Sequence, residues 1–125
     1  MHALVLLAPG AGNASSEELQ ADHERFIDGL IDQKRVVLGG DWKPPIAGFE
    51  AAYLLSCASL DEAREIAASD PFVRGEANRF EVVEWQLVAV DPEAVDRDSL
   101  LYPDLTSGQT SSANAATRSS RPGRS

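Results

Sequence analysis

The chain holds two histidines, and His23 is placed where proton chemistry can be done. With Leu19 at zero and about 100° per residue, Phe26 falls at about −20°, Leu30 at about 20° and Ile27 at about 80°, while His23 falls at about 40°. It lies in the middle of the apolar face of a predicted helix. Histidine exchanges protons near neutral pH more readily than any other unperturbed side chain, and inside an apolar stripe it must find a polar partner or stay neutral. A core histidine bonded to a backbone carbonyl satisfies that requirement. So does a general acid-base whose ring is oriented by a converging carboxylate. Asp70 is the best candidate for that carboxylate. It precedes Pro71 and Phe72, where the chain turns back and Phe72 can anchor the turn in the core. Aspartate before proline is also a common turn former, so alone it carries no chemistry.

Other residues offer smaller possibilities. Trp42, Tyr53, Phe72 and Trp85 could line a pocket for a planar ligand, or fill the core as aromatics, above all those in strands, commonly do. Arg74 and Arg79 flank the turn after Asp70 and could bind a substrate carboxylate, although solvated arginines are the default. Cys57 alternates with Tyr53 and Leu55, which favours a buried strand thiol over a nucleophile. A single cysteine permits no internal disulfide and no cysteine-based zinc cage, and His2 and His23 form no recognised ligand spacing, so no metal is expected. Gly39 and Gly40 lack the lysine and serine of a phosphate loop and are read as a strand end.

Several elements must position these groups. His2 to Ala8 is an apolar run ending at Pro9 and Gly10, a strand feeding a loop. Ser15 with Glu18 has the form of a capping box, and the pattern from Leu19 to Lys34 is helical. Val36 to Leu38, closed by Gly39 and Gly40, is a second strand; Lys43, Pro44 and Pro45 are a loop; Phe49 to Cys57 is a third strand. Ser59 and Glu62 repeat the capping box ahead of a helix that stops at Asp70 because Pro71 comes next. Arg79 to Val90 is the last strand. The order βαββαβ predicts an α+β, ferredoxin-like domain with a four-stranded antiparallel sheet and two helices on one face, over residues 1–92. Residues 93–105 are a C-terminal extension. From 106 to 125 the chain is too poor in apolar residues to order and is expected to be a disordered tail.

Two helices cover one side of such a sheet, yet the strands carry apolar residues on both: Leu4 and Leu6 alternate with Val5 and Leu7, and Phe49, Ala51, Tyr53 and Leu55 with Ala52 and Leu54. A second copy of the sheet would cover the other face, giving a homodimeric α/β barrel. The 125 residues and 13.4 kDa suit one domain. Net charge is −9, and residues 1–102 alone carry 8 basic against 19 acidic side chains, a surface that repels phosphate backbones, so nucleic acid is not an expected partner. No run approaches the length of a membrane helix and no basic segment precedes Ala3 to Ala8, so neither a membrane nor secretion is expected; a cytoplasmic setting is.

His23 with Phe26 and Leu30, the Val37 to Gly40 strand ending, Ser59 through Glu62 and Ala63, Asp70-Pro71-Phe72-Val73, and the strand from Phe80 to Val88 together resemble the YCII-related (YciI-like) family over roughly residues 2 to 90. The Asp70-Pro71-Phe72 triplet is the most specific part. The resemblance implies the dimeric α/β barrel, and an active site that pairs a histidine of the first helix with the aspartate before that proline, roles that fall on His23 and Asp70. Some members resemble muconolactone isomerases in fold and remove halide from hydroxylated aromatic compounds. The activity so implied is that of a cofactor-independent lyase, dehydrohalogenase or isomerase moving protons on a small, aromatic or lactone-like metabolite. This sequence departs from the family pattern in the two prolines of the Trp42 to Gly48 connection and in the tail after Leu105. The alternative is a non-catalytic dimeric module that holds a small molecule in the same interior.

Overall fold

The computed structural model describes residues 1–12 and 16–101. In chain order these form β1 (His2–Pro9), α1 (Glu17–Asp32), β2 (Val36–Ile46), β3 (Phe49–Ser56), α2 (Leu60–Ala68), a single-turn α3 (Pro71–Arg74) and β4 (Asn78–Glu84), followed by 3-10 turns at Pro92–Ala94 and Arg97–Ser99. The strands make one antiparallel sheet in the order β2-β3-β1-β4. This is the expected α+β, ferredoxin-like arrangement, with α3 as an addition.

Strict alternation in the central strands divides the apolar side chains between two faces. Ala3, Val5 and Leu7 of β1, with Tyr53 and Leu55 of β3, pack against Leu30 of α1 and against Ala63 and Ala67 of α2; Phe26, Ile27, Phe80 and Val82 close the margins. Small residues on α2 let that helix lie close to the sheet. On the opposite face the register aligns Leu4 with Leu54 and Val83, and Leu54 with Leu38. Leu54 is buried by its neighbours, but Leu38 and Val83 are 58% and 48% exposed.

Several expected boundaries differ. The cap of α1 is Ser16, whose hydroxyl accepts from the Leu19 backbone N–H; Ser15, expected in that role, lies outside the described residues. The second strand does not stop at Gly40, and Lys43 to Pro45 is not a loop outside the sheet: β2 runs to Ile46. It can include prolines because it is an edge strand, and its register with β3 breaks between Asp41 and Ile46, where no ladder N–H is needed. A two-residue turn then joins it to β3, with Ala47 at φ 54° and Gly48 at φ 84°, the positive pair that a type I′ hairpin requires. The last strand ends at Glu84, not Val90. Past Glu84 the Trp85 N–H still bonds the His2 carbonyl, but β1 begins at His2 and, among the described residues, no further partner strand remains for Leu87 to Val90. The expected tail, 106–125, lies outside the described residues.

Two sets of contacts hold the frame, one just past β1 and one at the start of α2. Gly10 and Gly12, past β1, donate to the carbonyls of Ala77 and Glu76 at 2.9 and 2.6 Å. A Cβ on Gly10 would stand 2.2 Å from Glu76 O, and one on Gly12 2.5 Å from Gly75 O, so only glycine allows this approach. The start of α2 is held differently. Ser59 Oγ accepts from the Glu62 N–H, as a cap should, but Glu62 Oε1 reaches the Ala58 N–H rather than that of Ser59, and takes Arg35 Nη1 at 2.9 Å. The reciprocal half of the expected capping box is therefore displaced by one residue.

The Ala58 amide first, and then Arg35, hold the Glu62 carboxyl below its ordinary value of 4.5. A carboxylate with a depressed folded pKa contributes stability that is present above its unfolded pKa and lost as pH falls through the folded one. Glu62→Gln should accordingly flatten the acid limb of stability against pH below about 4.5, as read by urea denaturation at successive pH values, while leaving the neutral-to-alkaline limb parallel to that of the wild type.

Candidate active site

Asp70 follows α2 and caps α3. Pro71 occupies the first helical position of α3, where its missing N–H costs nothing, and Asp70 Oδ1 accepts from the Phe72 N–H at 2.9 Å. Asp70 is thus more than the stop of α2 that the proline predicts. The same oxygen lies 2.7 Å from His23 Nδ1. Because Oδ1 serves as acceptor for the Phe72 amide, the imidazole meets it as a donor through Nδ1–H, which leaves Nε2 as the nitrogen free to carry or release a proton. Of the two partners open to His23, a backbone carbonyl or a carboxylate, the structure has the carboxylate.

The pair is asymmetric in its exposure. The Asp70 side chain is fully buried, whereas that of His23 is 21% exposed. The carboxylate is shielded and the imidazole is reachable. Phe72 stacks on the imidazole with ring centroids 4.1 Å apart and planes within 8°, covering one face of the ring and limiting its rotation. Three residues of one short turn, Asp70, Pro71 and Phe72, therefore set the partner, the helix start and the ring plane. α1 brings His23 to this turn because Leu19, one helical turn earlier, packs where Gly75 closes α3: a Cβ there would stand 3.5 Å from Leu19 Cδ1.

Tyr53 belongs to the same region. It lies on β3 facing the helices, buried, and its phenol is pushed well above the ordinary tyrosine value by burial first and by the Asp70 carboxylate second. Of the remaining candidates, Arg74 lies on the turn that Asp70 caps, its backbone N–H donating to the Asp70 carbonyl, and the others sit elsewhere in the fold. Trp42 packs edge-on against Phe49 in the β2–β3 hairpin, with ring centroids 6.5 Å apart. Trp85 is 47% exposed just beyond β4. Arg74, in the last turn of α3, and Arg79, on β4 opposite Ala8, are both exposed. Cys57 is a free, buried thiol in the core cluster. Among the described residues no group of three or more His, Cys, Asp or Glu side chains is gathered as a metal site, and no helix is long and apolar enough to cross a membrane.

Comparison with known proteins adds three findings. A family model described as the YCII-related domain matches residues 1–86. An uncharacterised protein of Bacillus subtilis (strain 168), YjpA, is 33% identical over 72 residues, which is 58% of this chain and 81% of that protein. Among solved structures, 5-chloro-2-hydroxyhydroquinone dehydrochlorinase (TftG) from Burkholderia phenoliruptrix AC1100, in complex with 2,5-dihydroxybenzoquinone, superposes with a TM-score of 0.49 and 18% identity, covering 69% of this chain and 94% of that one.

The double duty of Asp70 makes a stability prediction. Asp70→Ala removes the α3 cap and the acceptor of a half-buried histidine together, and should cost about 1–3 kcal/mol in urea denaturation. Asp70→Asn keeps a cap-forming oxygen and should cost clearly less. Equal losses for the two variants would show that the carboxylate's charge, rather than its oxygen as a cap, holds the turn.

Proposed function

Since the chain belongs to the YCII-related domain family, with a histidine and a buried aspartate in side-chain contact, we propose that it is a cofactor-independent enzyme of lyase or isomerase type, in which His23 and Asp70 transfer a proton on a small metabolite. The observation that carries this reading is the 2.7 Å contact between Nδ1 and a carboxylate with no solvent exposure. A carboxylate so placed orients the imidazole and stabilises its protonated form, the arrangement a general base needs. His23 Nε2 takes a proton from a carbon or hydroxyl of the substrate. The electron pair left behind then has two outcomes. Reprotonation by the imidazolium at a different carbon isomerises the substrate. Formation of a new double bond with departure of an anionic group, such as halide, eliminates that group together with the proton held on His23, which is then released to solvent.

The dimer belongs to this proposal. The face of the sheet away from the helices carries Leu4, Leu6, Leu38, Leu54 and Val83, and a second copy of the same face is its self-complementary cover. In sedimentation at micromolar concentration the chain should run at twice 13.4 kDa. A persistent monomer would remove the barrel.

Turnover tests the chemistry. In a screen of small hydroxylated aromatic and lactone compounds, His23→Ala and Asp70→Asn should each abolish whatever conversion the wild type shows while leaving the sedimentation profile unchanged. The double variant should be scarcely worse than either single one, since residues that act as a unit are not additive. Substrate-like compounds that bind without conversion, with an affinity indifferent to both substitutions, would leave a small-molecule-binding module in place of the enzyme.

A further inference from the structure

Two buried side-chain atoms among the described residues have no hydrogen-bond partner: the Tyr53 hydroxyl and Asp70 Oδ2. Buried polar groups in folded proteins are nearly always paired, so each such atom calls for a reason. These two are chemically complementary. A phenol donates one proton, and a carboxylate oxygen accepts.

They also share a neighbourhood. Tyr53 projects from β3 into the cluster that contains Ala63 and Ala67 of α2, and the chain reaches Asp70 immediately after that helix ends. Among the described residues the Asp70 carboxylate is the one charged group that acts on the Tyr53 phenol, raising its pKa beyond what burial alone does. The phenol therefore keeps its proton throughout the range in which proteins work, and is always a donor.

We propose that Tyr53 is a positioning residue for the His23–Asp70 pair, its hydroxyl supplying the hydrogen bond that Asp70 Oδ2 requires, directly after a small side-chain rotation or through one shared buried water. Oδ1 already receives two donors, the Phe72 amide and His23 Nδ1. A donor on Oδ2 fixes the remaining freedom of the carboxylate, its rotation about the bond to Cβ, and so keeps Oδ1 aimed at the imidazole. Tyr53 touches no substrate in this scheme. The significance for catalysis rests on the proton-transfer function proposed above, but the hydrogen bond itself does not.

The experiment reads the pair and not turnover. Nitrogen-15-labelled wild type and Tyr53→Phe, which keeps the ring and loses only the hydroxyl, are compared by proton NMR at the His23 Nδ1–H. Loss of the Tyr53 donor should free the carboxylate to turn away from the ring, so this resonance should move upfield as the Nδ1–H···Oδ1 bond weakens, and its exchange rate with water should rise several-fold. A purely space-filling Tyr53 would leave both unchanged, and that result overturns the proposal. Should Tyr53→Phe fail to fold by circular dichroism, the decision passes to 3-fluorotyrosine in a Tyr102→Phe background, where Tyr53 is the single tyrosine. Its fluorine signal should shift in Asp70→Asn if the bond exists, and an unmoved signal overturns it. A chain that shows the Tyr53 effect but converts no substrate would sustain this inference while the enzyme reading fell; turnover that needs His23 but is indifferent to Tyr53→Phe, with an unmoved Nδ1–H, would do the reverse.

Discussion

One carboxylate oxygen, Asp70 Oδ1, holds the local architecture together. It accepts the amide that starts α3 and the imidazole of His23. Each bond makes the other more definite: the cap fixes where the carboxylate stands, and the carboxylate fixes which nitrogen of the ring carries the proton. Phe72 completes the constraint, since its amide donates to the oxygen while its ring stacks on the histidine that the oxygen binds. An ionisable group with no solvent exposure is tolerated here because its charge is shared between donors that the chain brings to it.

The sheet supplies the distance over which this turn must be held. α1 and α2 lie on the same face, and their apolar stripes meet β1 and β3 in one cluster, so the half-buried edge of α1 faces the end of α2. The other face has its own apolar set, with alternating residues of β1 serving each side. A single short strand thus takes part in two different surfaces, and that is why its sequence reads as continuously apolar rather than alternating with polar residues.

Much of this was legible in the residues. The order of elements came from periodicity and punctuation, and the helical wheel placed His23 on the packed side of α1, where a polar partner was required. Asp70 was legible as a helix stop before proline. Its second role, as cap of a further turn, is signalled by aspartate at the cap and proline at the first helical position, a pattern present in the sequence that a stop reading passes over. The misplaced boundaries share a cause: local pattern speaks to what a segment prefers, not to what lies beside it. β2 runs past two prolines because it is at an edge and its register breaks there, while the well-patterned stretch from Leu87 to Val90 leaves the sheet because β1 has already ended. Glu62 reaching back to Ala58 is likewise decided by Arg35, which arrives from a distant part of the chain.

The glycine contacts after β1 bear on how the molecule comes into being. The bond from the Gly10 amide to the Ala77 carbonyl closes a circuit that contains all three helices and the hairpin, and the β1–β4 ladder lies immediately outside it. Contacts between residues so far apart in sequence form only after a large loss of chain entropy, which makes them late and slow relative to local helices and turns. His23 and Asp70 are 47 residues apart and lie within that circuit. On the ribosome, α1 is complete long before β4 and α2 only shortly before it, and the β1–β4 ladder can form only when the last strand docks beside the first. The two ends of this circuit therefore meet late, and a chain cut short before β4 would contain both His23 and Asp70 without the strand that closes the circuit around them.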